Sequence, residues 1–418
     1  MYDKKKISII VVATMNLAFA FLSQLSMGLI ALPFQHSFSL TASQLGLIIG
    51  SYYYLYSLMQ IPAGVLVDMI GVRPLLMYGH IIAGLSYFIF ASTQHVLLLF
   101  VSRFMIGAGL SFSFVALFSV IKNQFLEETA GFWLGLCEML ALCVFMMAMF
   151  VQTHWLRYVS WQKVMVYMGL ISLCLSVLNA MFMDKPSLKI RQGLSAFCQQ
   201  FDRFYLSVCG LLRVRTLWLA GLYAGILFSV LTVFEGLWAL PFFVVDHGLS
   251  LKQAAYMNHY LLIGVMLGCP VFGRITLPEN RKLVLSLLPL FTGTILMIIG
   301  LMSFLNIYLL RCLVLALGFF ASVYILPYIY ASDLAPKNLS ATSVGFVNFI
   351  VTSIAPVFQF LFGYILDFSA SKHAYNTNFL PQDYQMPMLF FTACMLGMVS
   401  IGWFLARDWR TLLVDKQT

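Results

Sequence analysis

Apolar runs of about twenty residues follow one another along the chain, separated by short polar breaks, without the period-two alternation of a barrel strand. At 1.5 Å per residue such a run covers the ~30 Å of a bilayer's hydrocarbon as an α-helix, with its backbone polar groups bonded inside the segment. The pattern predicts twelve spans, at 7–34, 44–68, 75–93, 96–121, 131–152, 162–183, 215–245, 253–276, 283–304, 306–331, 339–366 and 387–406. Lys4, Lys5 and Lys6 before an apolar run containing Ala18-Phe19-Ala20 imitate a cleavable signal. That run, however, continues to Pro33 and further spans follow it, so it reads as the first transmembrane helix.

One polar break is long, from Asp184 to Arg213, and it falls between spans six and seven. It divides the chain into an N-terminal six-helix bundle at 1–183, a cytoplasmic central loop at 184–213, a C-terminal six-helix bundle at 214–406 and a cytoplasmic tail at 407–418. Basic residues orient the spans. Lys4–Lys6, Arg73, Lys122, the central loop, Arg274, Arg281, Lys282, Lys337 and the tail all fall on the N-terminal side of the membrane. The other side holds Arg157, Lys163, Lys252 and Lys372. By the positive-inside rule both termini are cytoplasmic. The halves also repeat: Ala31-Leu32-Pro33-Phe34 recurs as Ala239-Leu240-Pro241-Phe242, Pro62 as Pro270 and Arg103 as Arg311, each 208 residues on. Two like-oriented six-helix units form the parallel repeat of alternating-access carriers, with the solute site between them at mid-membrane.

Composition agrees with the pattern. The 418 residues are 61% hydrophobic and 9% charged, with mean hydropathy +0.92, whereas soluble domains carry about 25% charged residues. The net charge of +9 sits in loops and points to anionic lipid, not nucleic acid. The eight cysteines show no CxxC spacing and read as small hydrophobes. No GxxxxGK[ST] loop and no HExxH occurs, so nothing in the sequence requires a metal, a cofactor or an enzyme reading.

The turn between spans two and three, Gly64-Val-Leu-Val-Asp68-Met-Ile-Gly71-Val-Arg73, resembles the signature loop of the major facilitator superfamily. Arg103-Phe-Met-Ile-Gly107-Ala-Gly109 in span four is similar to that family's second signature. Met69 and Pro74 stand where the family's loop carries further charge, and the matching turn of the second half, Gly273 to Arg281, keeps no clear copy. The resemblance implies a conformational gate of Gly64, Asp68, Gly71 and Arg73. In it Asp68 would meet the start of span eleven, near Asn338 to Thr342, where free N–H groups and the helix dipole favour an anion. Such a contact would favour closure on the inside. The glycine-proline signature of the family's antiporters is missing from span five, where Gly131 and Gly135 occur without a following proline.

Charge inside a span is costly and defaults to a functional reading. Arg103 and Arg311 stand inside spans four and ten, with a structural arginine bonded to backbone carbonyls as the alternative. Glu235, just before Gly236-Leu237-Trp238 and Pro241 in span seven, marks an interrupted helix of the kind that lines a transport site. Glu235 and Glu138 are the candidates for proton coupling. Arg103, Arg311, Glu235, Tyr324 and Asn16 are the candidates for solute binding, the last two because spans one and ten usually line the cavity in the family. Tyr52, Tyr53, Tyr54 and Tyr56 read as an interfacial aromatic belt.

Together these residues predict a secondary transporter, monomeric, in a bacterial inner membrane. It would move a small polar, carboxylate-bearing solute resembling an amino acid, with a proton, inward. Ala341-Thr-Ser-Val-Gly345-Phe-Val-Asn348 and Gly236-Leu-Trp238 also resemble the phagosomal transporter branch of intracellular gammaproteobacteria, which implies an amino acid or nucleoside cargo. The same residues fit an exporter of siderophores, organic anions or drugs, and a solute sensor that transports nothing.

Overall fold

The computed structural model describes residues 4–25, 27, 34, 37–38, 42–156, 158–184, 210, 213–274, 278–303, 305–335, 339–370 and 379–415. Most of the central loop expected at 184–213 therefore lies outside the described residues, as do Ala31–Pro33 and Asn338. The described residues form helices and short connections, with no strand among them. Among the described residues eleven helices are long and apolar enough to cross a membrane. Ala42–Ile70, 29 residues long, stands between the first and second of these and occupies the place of span two. The protein is an all-α membrane protein.

Several spans differ in detail from the hydropathy runs. Span four is interrupted at Ser111, where Val96–Leu110 gives way to Phe112–Gln124. Span twelve runs through Pro381–Asp415, well past the apolar stretch expected at 387–406. Span seven is composite: the α-helix Arg215–Ser229 widens into a π-helix at Val230–Trp238 and resumes as Ala239–Val245. Pro241, just beyond the widened stretch, offers no N–H to the preceding turn and its ring crowds that turn's carbonyl, a local cause for the loss of the regular ladder.

The chain forms two compact units. One contains Met1–Ala130, Leu140–Leu217 and Ala331–Thr352; the other contains Gly131–Met139, Trp218–Tyr330 and Ser353–Thr418. A short piece of span five thus packs with the second unit, and the first part of span eleven with the first. Within the first unit span three packs on six, two on four and three on four. Within the second, nine packs on twelve, eight on ten and nine on ten, the same pairs displaced by six spans. Lys5 and Asp184, paired at 2.7 Å, bring the start of span one and the end of span six to one side.

Candidate functional site

At the Gly64–Arg73 turn, Gly71 has φ 85°, in the region where a Cβ is strained, and its N–H donates to the Val67 carbonyl at 3.1 Å. This stops span two and places Asp68 in its last turn, two residues before Ile70. Asp68 Oδ2 accepts two hydrogen bonds from Thr342 in the first turns of span eleven, from the backbone N–H at 2.9 Å and from Oγ1 at 2.8 Å. One turn deeper the backbones nearly touch. A Cβ on Gly64 would lie 2.6 Å from the Ala341 carbonyl oxygen, and one on Gly345 would lie 2.4 Å from that of Gln60. A further turn in, Asn348 Nδ2 donates to Gln60 Oε1 at 2.8 Å, while Gln60 Nε2 donates to the carbonyls of Ser111 and Tyr56, each at 3.1 Å. Residues 60, 64 and 68 on span two therefore meet 348, 345 and 342 on span eleven, turn by turn. Among the described residues Arg73 makes no hydrogen bond or ion pair.

Arg103 is 1% exposed. Its Nη2 donates to the Ser23 carbonyl of span one at 2.6 Å, and its guanidinium lies 4.8 Å from the centre of the Tyr52 ring. Nε and Nη1 are buried without a well-aligned acceptor, the Tyr87 hydroxyl lies beside the guanidinium, and no described carboxylate lies within ion-pairing distance. Arg311 repeats the motif in the second unit. Its guanidinium lies 5.8 Å from the Tyr260 ring and 5.5 Å from the Tyr308 ring, and its Nε is buried and unbonded. Tyr260 follows Tyr52 by the same 208 residues that separate Arg311 from Arg103, so the duplication preserves an arginine-on-tyrosine pair. The tyrosine cluster is accordingly no interfacial belt. Tyr52, Tyr53 and Tyr56 are buried in protein, and Tyr54 alone of the four is exposed.

Asn16 is fully buried and pairs reciprocally with Asn179 of span six. Nδ2 donates to Oδ1 at 2.9 Å in one direction and 2.8 Å in the other, and Asn16 Nδ2 also reaches the Val12 carbonyl at 2.6 Å. In the second unit Tyr324, on the tight Ser322–Ile325 turn of span ten, donates to Glu138 Oε1 at 2.6 Å. Its single proton is thereby committed, so Cys269 Sγ, 3.7 Å from the same oxygen, is the donor in that contact. Glu138 is 2% exposed and its Oε2 is buried and unbonded. Span five reaches this position by close packing on span eight: a Cβ on Gly135 would lie 2.1 Å from the Cys269 carbonyl oxygen, and one on Gly131 2.4 Å from that of Gly273.

Glu235 sits in the π-helical stretch of span seven, a geometry found frequently at functional sites. Asn258 Nδ2 of span eight donates to its main-chain carbonyl at 3.1 Å. Gln359 Nε2 donates to the Thr232 carbonyl at 2.9 Å, and the Trp238 ring stacks on Phe362 with centres 5.2 Å apart. Just past the end of this span, Asp246 and His247 are 3.6 Å apart and His247 Nε2 contacts the Ile299 carbonyl at 3.2 Å. Burial pushes the Asp246 carboxyl up to about 6 and pushes the His247 imidazole down.

The sequence candidates thus divide between the units. Asn16, Gly64, Asp68, Gly71, Arg73 and Arg103 lie in the first, and Glu138, Glu235, Arg311 and Tyr324 in the second. Of these, Glu138 and Tyr324 bond directly to each other. Sequence reasoning did not single out Asn258, Tyr260 or Asp246. Tyr260 was findable from the 208-residue offset, whereas Asn258 and Asp246 carried no distinguishing signal. Among the described residues no group of three His, Cys, Asp or Glu is arranged to hold a metal.

Residues 12–360 match the family model described as Major Facilitator Superfamily. A probable galactarate/D-glucarate transporter, GudP of Bacillus subtilis, is 23% identical over 81% of this chain and 80% of its own. The uncharacterized transporter YybO of the same species is 40% identical, but that match spans 20% of this chain and 19% of the relative. Among solved structures, the proton:xylose symporter XylE superposes with TM-score 0.71 at 13% identity, covering 96% of both chains. The fucose:proton symporter FucP of E. coli superposes with TM-score 0.67 at 18% identity, covering 96% of this chain and 99% of that one. At these identities the likeness concerns the fold.

Proposed function

The chain belongs to the major facilitator superfamily, and we propose that it is a secondary transporter that carries a small polar, carboxylate-bearing solute across the bacterial inner membrane by alternating access. The observation behind the solute class is Arg103. A guanidinium removed from water costs several kcal/mol unless it is paired, yet this one has two unbonded donors and no described carboxylate beside it. A planar fork of donors suits a carboxylate. GudP is named for two sugar acids, which agrees with an acidic cargo.

In this reading Arg103, Arg311, Glu235, Tyr324 and Asn16 bind the solute, and inward transport is driven by a proton carried on Glu138 or Glu235. Two solved structures of the same fold are proton symporters, in keeping with proton coupling. Gly64, Asp68, Gly71 and Arg73 form the gate, both termini are cytoplasmic and the carrier is a monomer. The test is uptake of a radiolabelled panel of amino acids, sugar acids and nucleosides into proteoliposomes, with and without an inward proton gradient. Uptake of a carboxylate-bearing member, enhanced by the gradient, supports the reading; uptake confined to uncharged members overturns it.

A further inference from the structure

Glu235 and Asn258, joined by one hydrogen bond to a main-chain carbonyl, each leave a buried side-chain acceptor with nothing to accept. Glu235 Oε2 is buried and unbonded. Asn258 donates Nδ2 to the Glu235 main-chain carbonyl, and that bond settles the orientation of the amide, because only its nitrogen can donate. The remaining end is therefore the oxygen, Oδ1, which is likewise buried and unbonded. While Glu235 is ionised, its carboxylate and the amide oxygen both only accept, so neither can satisfy the other. Each acceptor left this way costs about 1–3 kcal/mol, and a charged one more.

The backbone beneath them is also unusual. Glu235 lies within the nine-residue π-helix Val230–Trp238, and the two side-chain contacts described above, Gln359 on the Thr232 carbonyl and Trp238 on Phe362, brace that helix at both ends. The widened geometry is thus held by neighbours, and the residue whose main-chain carbonyl takes the Asn258 amide is an acid. We propose that Glu235 and Asn258 form a subsite in the second unit for a hydrogen-bond-donating head group of the solute, an ammonium or a hydroxyl. Either group supplies the protons that the two oxygens lack, and an ammonium also balances an ionised Glu235. The inference rests on the transporter reading for calling the ligand a solute, and adds that the cargo carries a donor head besides its carboxylate.

The test is equilibrium binding of radiolabelled methylammonium and, separately, of radiolabelled glycerol to the purified full chain in lipid nanodiscs. Saturable binding of either probe, weakened at least tenfold by Asn258→Leu and by the isosteric Glu235→Gln, is expected. Methylammonium binding assigns an ammonium head and glycerol binding a hydroxyl head. Absence of saturable binding of both probes, or binding that Glu235→Gln leaves unchanged, overturns the subsite. Carboxylate selectivity is measured separately by uptake, so failure of the subsite and failure of the transporter reading give different results.

Discussion

Thr342 holds Asp68 by two hydrogen bonds, its N–H at 2.9 Å and its hydroxyl at 2.8 Å from the same carboxylate oxygen. The helix start contributes its dipole to the same contact. Below it, the Gly64–Gly345 approach and the Gln60–Asn348 bond extend the seam two turns inward. Gly64→Val places branched carbon where the Ala341 carbonyl stands, and is expected to reduce transport at least tenfold. Asp68→Asn and Thr342→Val are expected to increase the reaction of inward-facing cysteines with an impermeant maleimide in inside-out vesicles. Unchanged labelling in both variants removes the gate.

Tyr324 donates its one proton to Glu138, and hydrogen bonds to charged groups contribute about 1.5–3 kcal/mol. Glu138→Gln is therefore expected to abolish uphill, proton-driven accumulation while sparing counterflow exchange, and Tyr324→Phe to lower accumulation by roughly tenfold. Accumulation ratios in proteoliposomes with an imposed pH gradient separate the two processes. Full accumulation by Glu138→Gln removes this acid from the coupling path.

The duplicated arginine-tyrosine pairs differ in burial, and this sets an order. Arg103 over Tyr52 is enclosed, whereas Arg311 is half-buried. Cation–π contacts contribute about 2 kcal/mol when desolvated and about 0.5–1 when exposed. Tyr52→Leu is expected to lower the thermal midpoint more than Tyr260→Leu, measured in one detergent by scanning fluorimetry. The reverse order contradicts the assignment.

Asp246 lies outside the spans, and burial raises its carboxyl to about 6. Because the folded chain favours the protonated form, its contribution to stability is complete below the unfolded value near 3.8 and is lost as pH rises through about 6. The neighbouring His247 is held neutral by burial and offers no charge in compensation at neutral pH. Asp246→Asn is expected to raise the thermal midpoint at pH 7.5 by on the order of a degree or two, and to flatten its fall between pH 4 and 6. An equal or lower midpoint at pH 7.5 contradicts this.

Much of this architecture is legible in the sequence because membranes impose a length and hydropathy rule on every span. The Gly64–Arg73 turn was readable for another reason: a left-handed Gly71 and a close-packed Gly64 require glycine. Tyr52 and Tyr260 were equally visible through the repeat, but a run of four tyrosines suggests an interface when read by composition alone. What the sequence hid was pairing at a distance. Glu138 and Tyr324 are 186 residues apart, and neither residue type announces the other. The π-helix was likewise hidden, since Gly236 and Pro241 signal an interruption but not whether the helix breaks, kinks or widens.

In the proposed site the two N–H groups of Arg103 left without an acceptor, at Nε and Nη1, receive a carboxylate of the solute. The most direct test of this contact takes a transported acid found in the uptake panel and measures competition by that acid and by its amide, in the wild type and in Arg103→Lys. The unlabelled acid is expected to compete at least tenfold better than the amide, and Arg103→Lys, which keeps the charge but loses the fork, to weaken the acid alone. Equal competition by acid and amide in the wild type would contradict it.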